Sequence, residues 1–99
     1  MQRGGYVYIM ASPNKGVLYT GMTSDLYKRV YEHISHYYPK SFTARYNCCM
    51  LVYYKGFDRI EEAIAEEKRI KAGSRKQKDE LVHTMNPEFK DLWEDVKNW

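Results

Sequence analysis

The chain has 99 residues, 43% of them hydrophobic, and a formal net charge of +3, which fits one compact domain with a core and excludes both a second domain and a disordered tail. No apolar run approaches the roughly 18–20 residues of a membrane span, and the N-terminus lacks a signal-peptide core. Its two cysteines, Cys48 and Cys49, are neighbours that neither bridge easily nor match a zinc spacing, so a reduced cytoplasmic protein with no membrane partner is expected.

Gly4-Gly5 precedes a β-rich run, Tyr6-Val7-Tyr8-Ile9-Met10. Ser12-Pro13-Asn14-Lys15-Gly16 is dense in turn formers, and Val17-Leu18-Tyr19-Thr20 is β-rich again until Gly21. Two such runs around one turn predict an antiparallel hairpin. Ser24 is expected to cap a helix running to about His36, with Asp25 in its first turn, where the dipole favours an acid. Tyr37-Tyr38-Pro39-Lys40 breaks it, and a loop follows to Asn47. Cys48 to Tyr54 is apolar enough for a third, central strand. Asp58 and Glu61 have the capping-box spacing for a second helix, which ends near Ala72 with Gly73 as its stop. Ser74 and Gln77 repeat the box for a third helix to about Met85. Asn86 as cap and Pro87 as first helical residue open a last short helix, where Phe89, Leu92, Trp93 and Val96 form a packing stripe. The order is ββαβααα: a single α+β domain over residues 1–99, with a small three-stranded antiparallel sheet flanked by helices.

Helical phase sorts the polar residues. On the first helix Leu26, Val30 and Ile34 form an apolar stripe, and Arg29 and His33 lie on one flank of it. Arg29 reads either as a side chain snorkelling over apolar contacts or as a fork of donors for a phosphate. His33 reads as a satisfied half-buried histidine or as part of a site. On the second helix Ile60, Ala63, Ile64, Ile70 and Lys71 mark the inner face, with Glu67 near its middle and Glu66 on the far side beside Glu62. A carboxylate there requires either a basic partner or a hard cation such as Mg²⁺. Residues 68–78 carry Lys68, Arg69, Lys71, Arg75, Lys76 and Lys78 without an acid, which suits either a solvated helix surface or a phosphate backbone. Thr43, Arg45 and Tyr46 lie in the loop before strand three and are candidates for a substrate contact that their spacing does not mark.

Taken in order, these residues resemble the GIY-YIG nuclease superfamily, and within it the short stand-alone bacterial proteins related to the N-terminal nuclease domain of the repair protein UvrC. Tyr6-Val7-Tyr8 stands where that family has Gly-Ile-Tyr, and Tyr19-Thr20-Gly21 where it has Tyr-Ile-Gly. Arg29, eight residues after Gly21, the run Ala63 to Lys71 with Glu67, and Asn86-Pro87 complete the likeness over about residues 4–93. Tyr6 replaces the glycine and Thr20 the isoleucine, and Met22-Thr23 stands where many relatives have a lysine, a charge that Lys28 or another residue would have to supply if activity is not to be lower.

The resemblance implies hydrolysis of DNA phosphodiesters, in repair or on structured DNA, with one divalent metal, Mg²⁺ or Mn²⁺. It implies Tyr8 as general base, Tyr19 in support or in exchange of that role, Arg29 on the scissile phosphate and Glu67 as metal ligand, with Gly21, His33 and Asn86 as supporting positions. Lys28, Arg45, Lys68, Lys71, Arg75 and Lys76 are the candidates for DNA contacts, and a protein partner could add specificity. A binding module of the same fold without catalysis is the alternative.

Overall fold

The computed structural model describes residues 4–99. Strand β1 (Gly5–Ala11) is buried along its whole length, because it is the middle strand of a three-stranded antiparallel sheet with helices over both faces. Strand β2 (Leu18–Thr23) flanks it on one side and β3 (Met50–Phe57) on the other, in the order β2-β1-β3. Alternate side chains of a strand face opposite ways, so β1 serves two cores. Tyr6, Tyr8 and Met10 face Leu26 and Val30 of α1 (Leu26–Ile34) together with Leu92 and Val96 near α5 (Trp93–Val96). Val7, Ile9 and Ala11 face Ala63 and Ile70 of α3 (Ile60–Lys71) and Val82 of α4 (Arg75–His83). The β1–β3 ladder shifts register between Ile9 and Met10, which pair with Tyr53 and Leu51. The extra residue, Val52, joins Tyr53 in the second core, the two-against-one arrangement of a bulge.

The expected three-stranded antiparallel sheet is present, but its central strand is β1, and the third strand, expected at the centre, lies at an edge because β1 pairs with both others. Several boundaries also move for local reasons. Asp25, not Ser24, caps α1: its carboxylate accepts the Lys28 N–H at 3.1 Å, while the Thr23 hydroxyl accepts the Asp25 N–H at 3.0 Å and holds that residue extended. The helix stops at Ile34 rather than His36, since His36 turns left-handed at φ 54°. The N–H groups of Tyr37 and His36 then return to the carbonyls of Glu32 and His33, a Schellman closure made without glycine. The expected loop to Asn47 contains a short helix, α2 (Phe42–Arg45), capped by the Ser41 hydroxyl, so the order is ββααβααα. Cys48 remains tied to α2 through Thr43, and β3 starts only at Met50. It runs on to Phe57 because Gly5 is still paired there, which also delays α3. The α3 entry uses Glu62, whose carboxylate accepts the Arg59 N–H at 3.1 Å, in place of the Asp58–Glu61 spacing.

Ser74 and Gln77 form the expected box, and α4 ends at His83, short of Met85. No helix starts at Asn86-Pro87. Asn86 is buried, donates to the carbonyls of Val52 at 3.1 Å and Lys90 at 2.7 Å, and accepts the Lys90 N–H at 3.1 Å. This cross-brace curls the chain tightly, with Phe89 at φ 57°. Phe89 consequently enters the α3–α4 core, while Leu92 and Val96 enter the α1 core, so the four apolar residues are not one stripe.

Candidate active site

Tyr8 and Gly21 are direct partners across the β1–β2 ladder, so their side chains share a face. The Tyr8 ring lies over Gly21: a Cβ there would meet the Tyr8 Oη at 2.5 Å, its Cζ at 2.6 Å and the Tyr19 ring at 3.0 Å. The missing side chain therefore fixes where the Tyr8 hydroxyl sits. Tyr19 stands beside it, with ring centroids 6.4 Å apart. Because β2 is an edge strand, helices on either face of the sheet reach this margin.

From one face α1 brings Arg29 and His33. The His33 ring is 5.5 Å from both tyrosine rings and only 3% exposed. Its Nε2 is 2.8 Å from the Tyr8 Oη, and its Nδ1 is 2.7 Å from the Thr43 Oγ1 of α2. Burial, and then the Arg29 charge, hold the His33 pKa down to about 4, so the imidazole is neutral at pH 7. One proton arrangement uses every group, with Tyr8 donating to Nε2 and Nδ1–H donating to Thr43. Burial pushes the Tyr8 phenol well above its ordinary value and Tyr19 adds to this, while the Arg29 charge and hydrogen bond only partly offset it. Arg29 does not lower the phenol enough for a resting phenolate. Burial pulls Arg29 down, and its partners Tyr8 and Glu32 outweigh that, so the guanidinium stays charged. Glu32, with a side chain only 13% exposed, anchors it at 3.1 Å.

From the other face α3 brings Glu67, whose charge acts on Tyr8, and Lys71, which lies 3.6 Å from the Glu67 carboxylate and 5.9 Å over the Tyr19 ring. Ala63 and Ile70 hold the middle of the α3 inner face, and Ile60 and Ile64 are more than a third exposed. Glu67 therefore flanks that face and is only partly buried. Glu66 is not on the far side: it is as covered as Glu67, chelates Arg69 through two bonds of 2.7 and 2.6 Å, and feels Lys55 of β3.

The remaining candidates divide by position. Lys28 is exposed and lines a cavity of about 530 Å³ with Thr23, Arg29, Glu32 and Tyr38, on the Arg29 side of the site. Arg45 is exposed on α2. Lys68 and Lys76 are exposed on α3 and α4. Arg75 is held by Asp79 at 2.9 Å and by the Gly16 carbonyl at 3.0 Å, pinning α4 to the hairpin turn. The Asn86 side chain bonds the Val52 and Lys90 carbonyls and the Lys90 N–H, bracing the backbone. Glu32 was not legible as a site residue, although its i, i+3 spacing from Arg29 was a usable signal. The Thr43–His33 contact had no sequence signal beyond two residue types that hydrogen-bond.

Among the described residues no three His, Cys, Asp or Glu side chains gather into a metal cluster. A Mg²⁺ ion retains most of its waters and accepts one or two carboxylates plus a substrate phosphate. Glu67, partly exposed beside Tyr8, offers a donor suited to such a water-rich ion, with Lys71 holding the carboxylate otherwise.

A family model described as the GIY-YIG catalytic domain matches residues 4–80, a span that includes every element from β1 through most of α4. The chain is 36% identical over 83 residues to a UPF0213 protein of Syntrophus aciditrophicus (strain SB), covering 84% of this chain and 93% of that protein. It is 36% identical over 77 residues to a UPF0213 protein of Staphylococcus saprophyticus, covering 78% and 92% of the two. The solution NMR structure of a UPF0213 protein from Bacillus halodurans superposes with a TM-score of 0.56 at 30% identity, covering 86% of this chain and 88% of that one. Among the described residues no helix is long and apolar enough to cross a membrane.

Proposed function

The chain belongs to the GIY-YIG family of nuclease domains, and from that premise we propose that it is a divalent-metal-dependent endonuclease that hydrolyses DNA phosphodiesters. The observation that carries this reading is the convergence of Tyr8, Tyr19, Arg29, His33 and Glu67 on one sheet margin, although they come from four different elements. Arg29 binds a non-bridging oxygen of the scissile phosphate, with Glu32 keeping its fork oriented. A water beside Tyr8 gives a proton to the phenol oxygen as Tyr8 gives its own to His33 Nε2, so no phenolate accumulates. Thr43 holds the imidazole through Nδ1 and keeps Nε2 free to accept. Burial is the larger cause of the low His33 basicity and Arg29 the smaller, so an incoming phosphate that offsets the Arg29 charge relieves only part of it. Tyr19 walls the site and orients the water. Glu67 would hold Mg²⁺ or Mn²⁺, which when bound supplies positive charge to the departing oxygen. Lys28 beside Arg29 provides the further positive charge along the strand. A role in repair or in processing structured DNA, in the cytoplasm, follows from the same reading.

A binding module without catalysis would rely on residues 68–78. There Arg69, Lys71 and Arg75 are engaged by Glu66, Glu67 and Asp79, which weakens that surface as a phosphate track. The test is purified protein with Mg²⁺ or Mn²⁺ and branched, nicked or single-stranded DNA. Arg29→Ala and Glu67→Ala should each slow cleavage by about 100-fold or more. Cleavage that survives both substitutions would remove the assignment.

A further inference from the structure

An aromatic surface leads away from the tyrosine–arginine site on residues that the reaction does not use. The Tyr19 ring contacts Phe42 at 5.9 Å between centroids, and Phe42 contacts Tyr46 at 4.6 Å. On the arginine side, the Arg29 guanidinium stacks over Tyr38 at 5.6 Å, and Tyr37 packs edge-on against Tyr38 at 4.9 Å. These rings are not core: Phe42 is 46% exposed, Tyr46 45%, Tyr38 50% and Tyr37 64%. The segment that carries them, residues 35–49, contains Lys40 and Arg45 and no Asp or Glu. Two exposed aromatic runs therefore flank a candidate phosphate site, on a stretch whose formal charge is purely positive.

We propose that Phe42, Tyr46 and Tyr38 form a stacking platform for unpaired nucleobases on either side of the scissile phosphate, so that the substrate is single-stranded DNA or a single-stranded branch. This rests on the nuclease reading and specifies its substrate. The chemistry selects the occupant. In a duplex the base faces are covered by neighbouring bases, whereas an unpaired strand offers them, and aromatic side chains beside a basic groove are the equipment that takes them up. An apolar protein partner would not require the rings to be continuous with Arg29 and Tyr19, nor the segment to lack acids.

The experiment measures binding without metal, so that cleavage plays no part. A labelled single-stranded 15-mer, its duplex, a matched RNA strand and the same DNA strand with three consecutive abasic residues are titrated by fluorescence anisotropy. The DNA strand should bind more tightly than the duplex, and removing the bases should weaken binding by about 5- to 150-fold per lost stacking contact. F42L/Y46L should weaken binding of the intact strand by a comparable factor and leave the abasic strand unchanged. Melting checks that the variant folds; if it does not, the abasic comparison in the wild-type protein decides alone. Equal affinity for intact and abasic strands, tighter binding of duplex, or clearly tighter binding of the RNA would each overturn the proposal. An enzyme that cuts DNA but ignores base removal sinks this inference alone, while base-dependent binding without hydrolysis under any metal sinks the nuclease reading and leaves the platform standing.

Discussion

The His33 imidazole makes protein stability depend on pH in a way that can be worked out in advance. Its ordinary pKa is 6.5 and its folded value is about 4. The unfolded chain therefore takes up this proton first as pH falls, and the folded state is penalised. The stability that neutral His33 supports is fully present above pH ~6.5 and is lost progressively toward pH ~4, where it levels off. Each pKa unit is worth about 1.4 kcal/mol, so the full loss is about 3 kcal/mol, roughly half of it already gone by pH ~5.5. At 3% exposure the ring is too deep for solvent to screen much of this. Carboxylates also titrate in this range, so the informative quantity is a difference. His33→Gln keeps an amide able to reach Tyr8 or Thr43 and does not titrate. Urea unfolding of both proteins between pH 4 and pH 7.5 should show the wild type losing about 3 kcal/mol more than the variant. Parallel stability curves, or an NMR titration of His33 near its ordinary value, would refute both the burial argument and the neutral acceptor assigned to Tyr8.

The proton relay predicts a flat kcat/KM between about pH 6 and pH 9; a tenfold rise per pH unit across that range would instead mean that a Tyr8 phenolate is required. Gly21→Ala forces a methyl group against the Tyr8 hydroxyl and should destabilise the fold by about 1–3 kcal/mol and lower activity with it, read by melting and by cleavage. Thr43→Val leaves the His33 Nδ1 without its partner and should cost about 1–3 kcal/mol in chemical unfolding, with a fall in kcat larger than any change in KM. Asn86→Ala removes three hydrogen bonds that brace the backbone and should cost about 2–4 kcal/mol while leaving kcat of the folded fraction intact; a selective loss of kcat would contradict a bracing role.

The three strands were legible because β1 and β3 are runs of apolar residues bounded by turn formers, and the Ser74–Gln77 box located α4. The misplaced starts, Ser24 for Asp25 and Asp58 for Arg59, come from neighbours that compete for the same cap: the Thr23 hydroxyl in one case and continued pairing with Gly5 in the other. Asn86-Pro87 has the composition of a helix start, yet the Asn side chain finds better partners in the buried carbonyl of Val52 and in Lys90, a tertiary fact no local pattern contains. Within the site, helical phase placed Arg29 and His33 on the right flank of α1. It failed for Glu66, which is as sheltered as Glu67 and is held by Arg69.

The margin where the tyrosines meet their partners has a consequence for when the protein can act. Tyr8 and Gly21 come together once the hairpin closes, but Arg29 and His33 arrive only when one core has formed, and Glu67 only when the other has. A newly made or partly melted chain, with strands and helices but without both cores packed, carries no such constellation. Under the proposed nuclease reading, cleavage therefore requires both cores to be packed and is lost when either one opens.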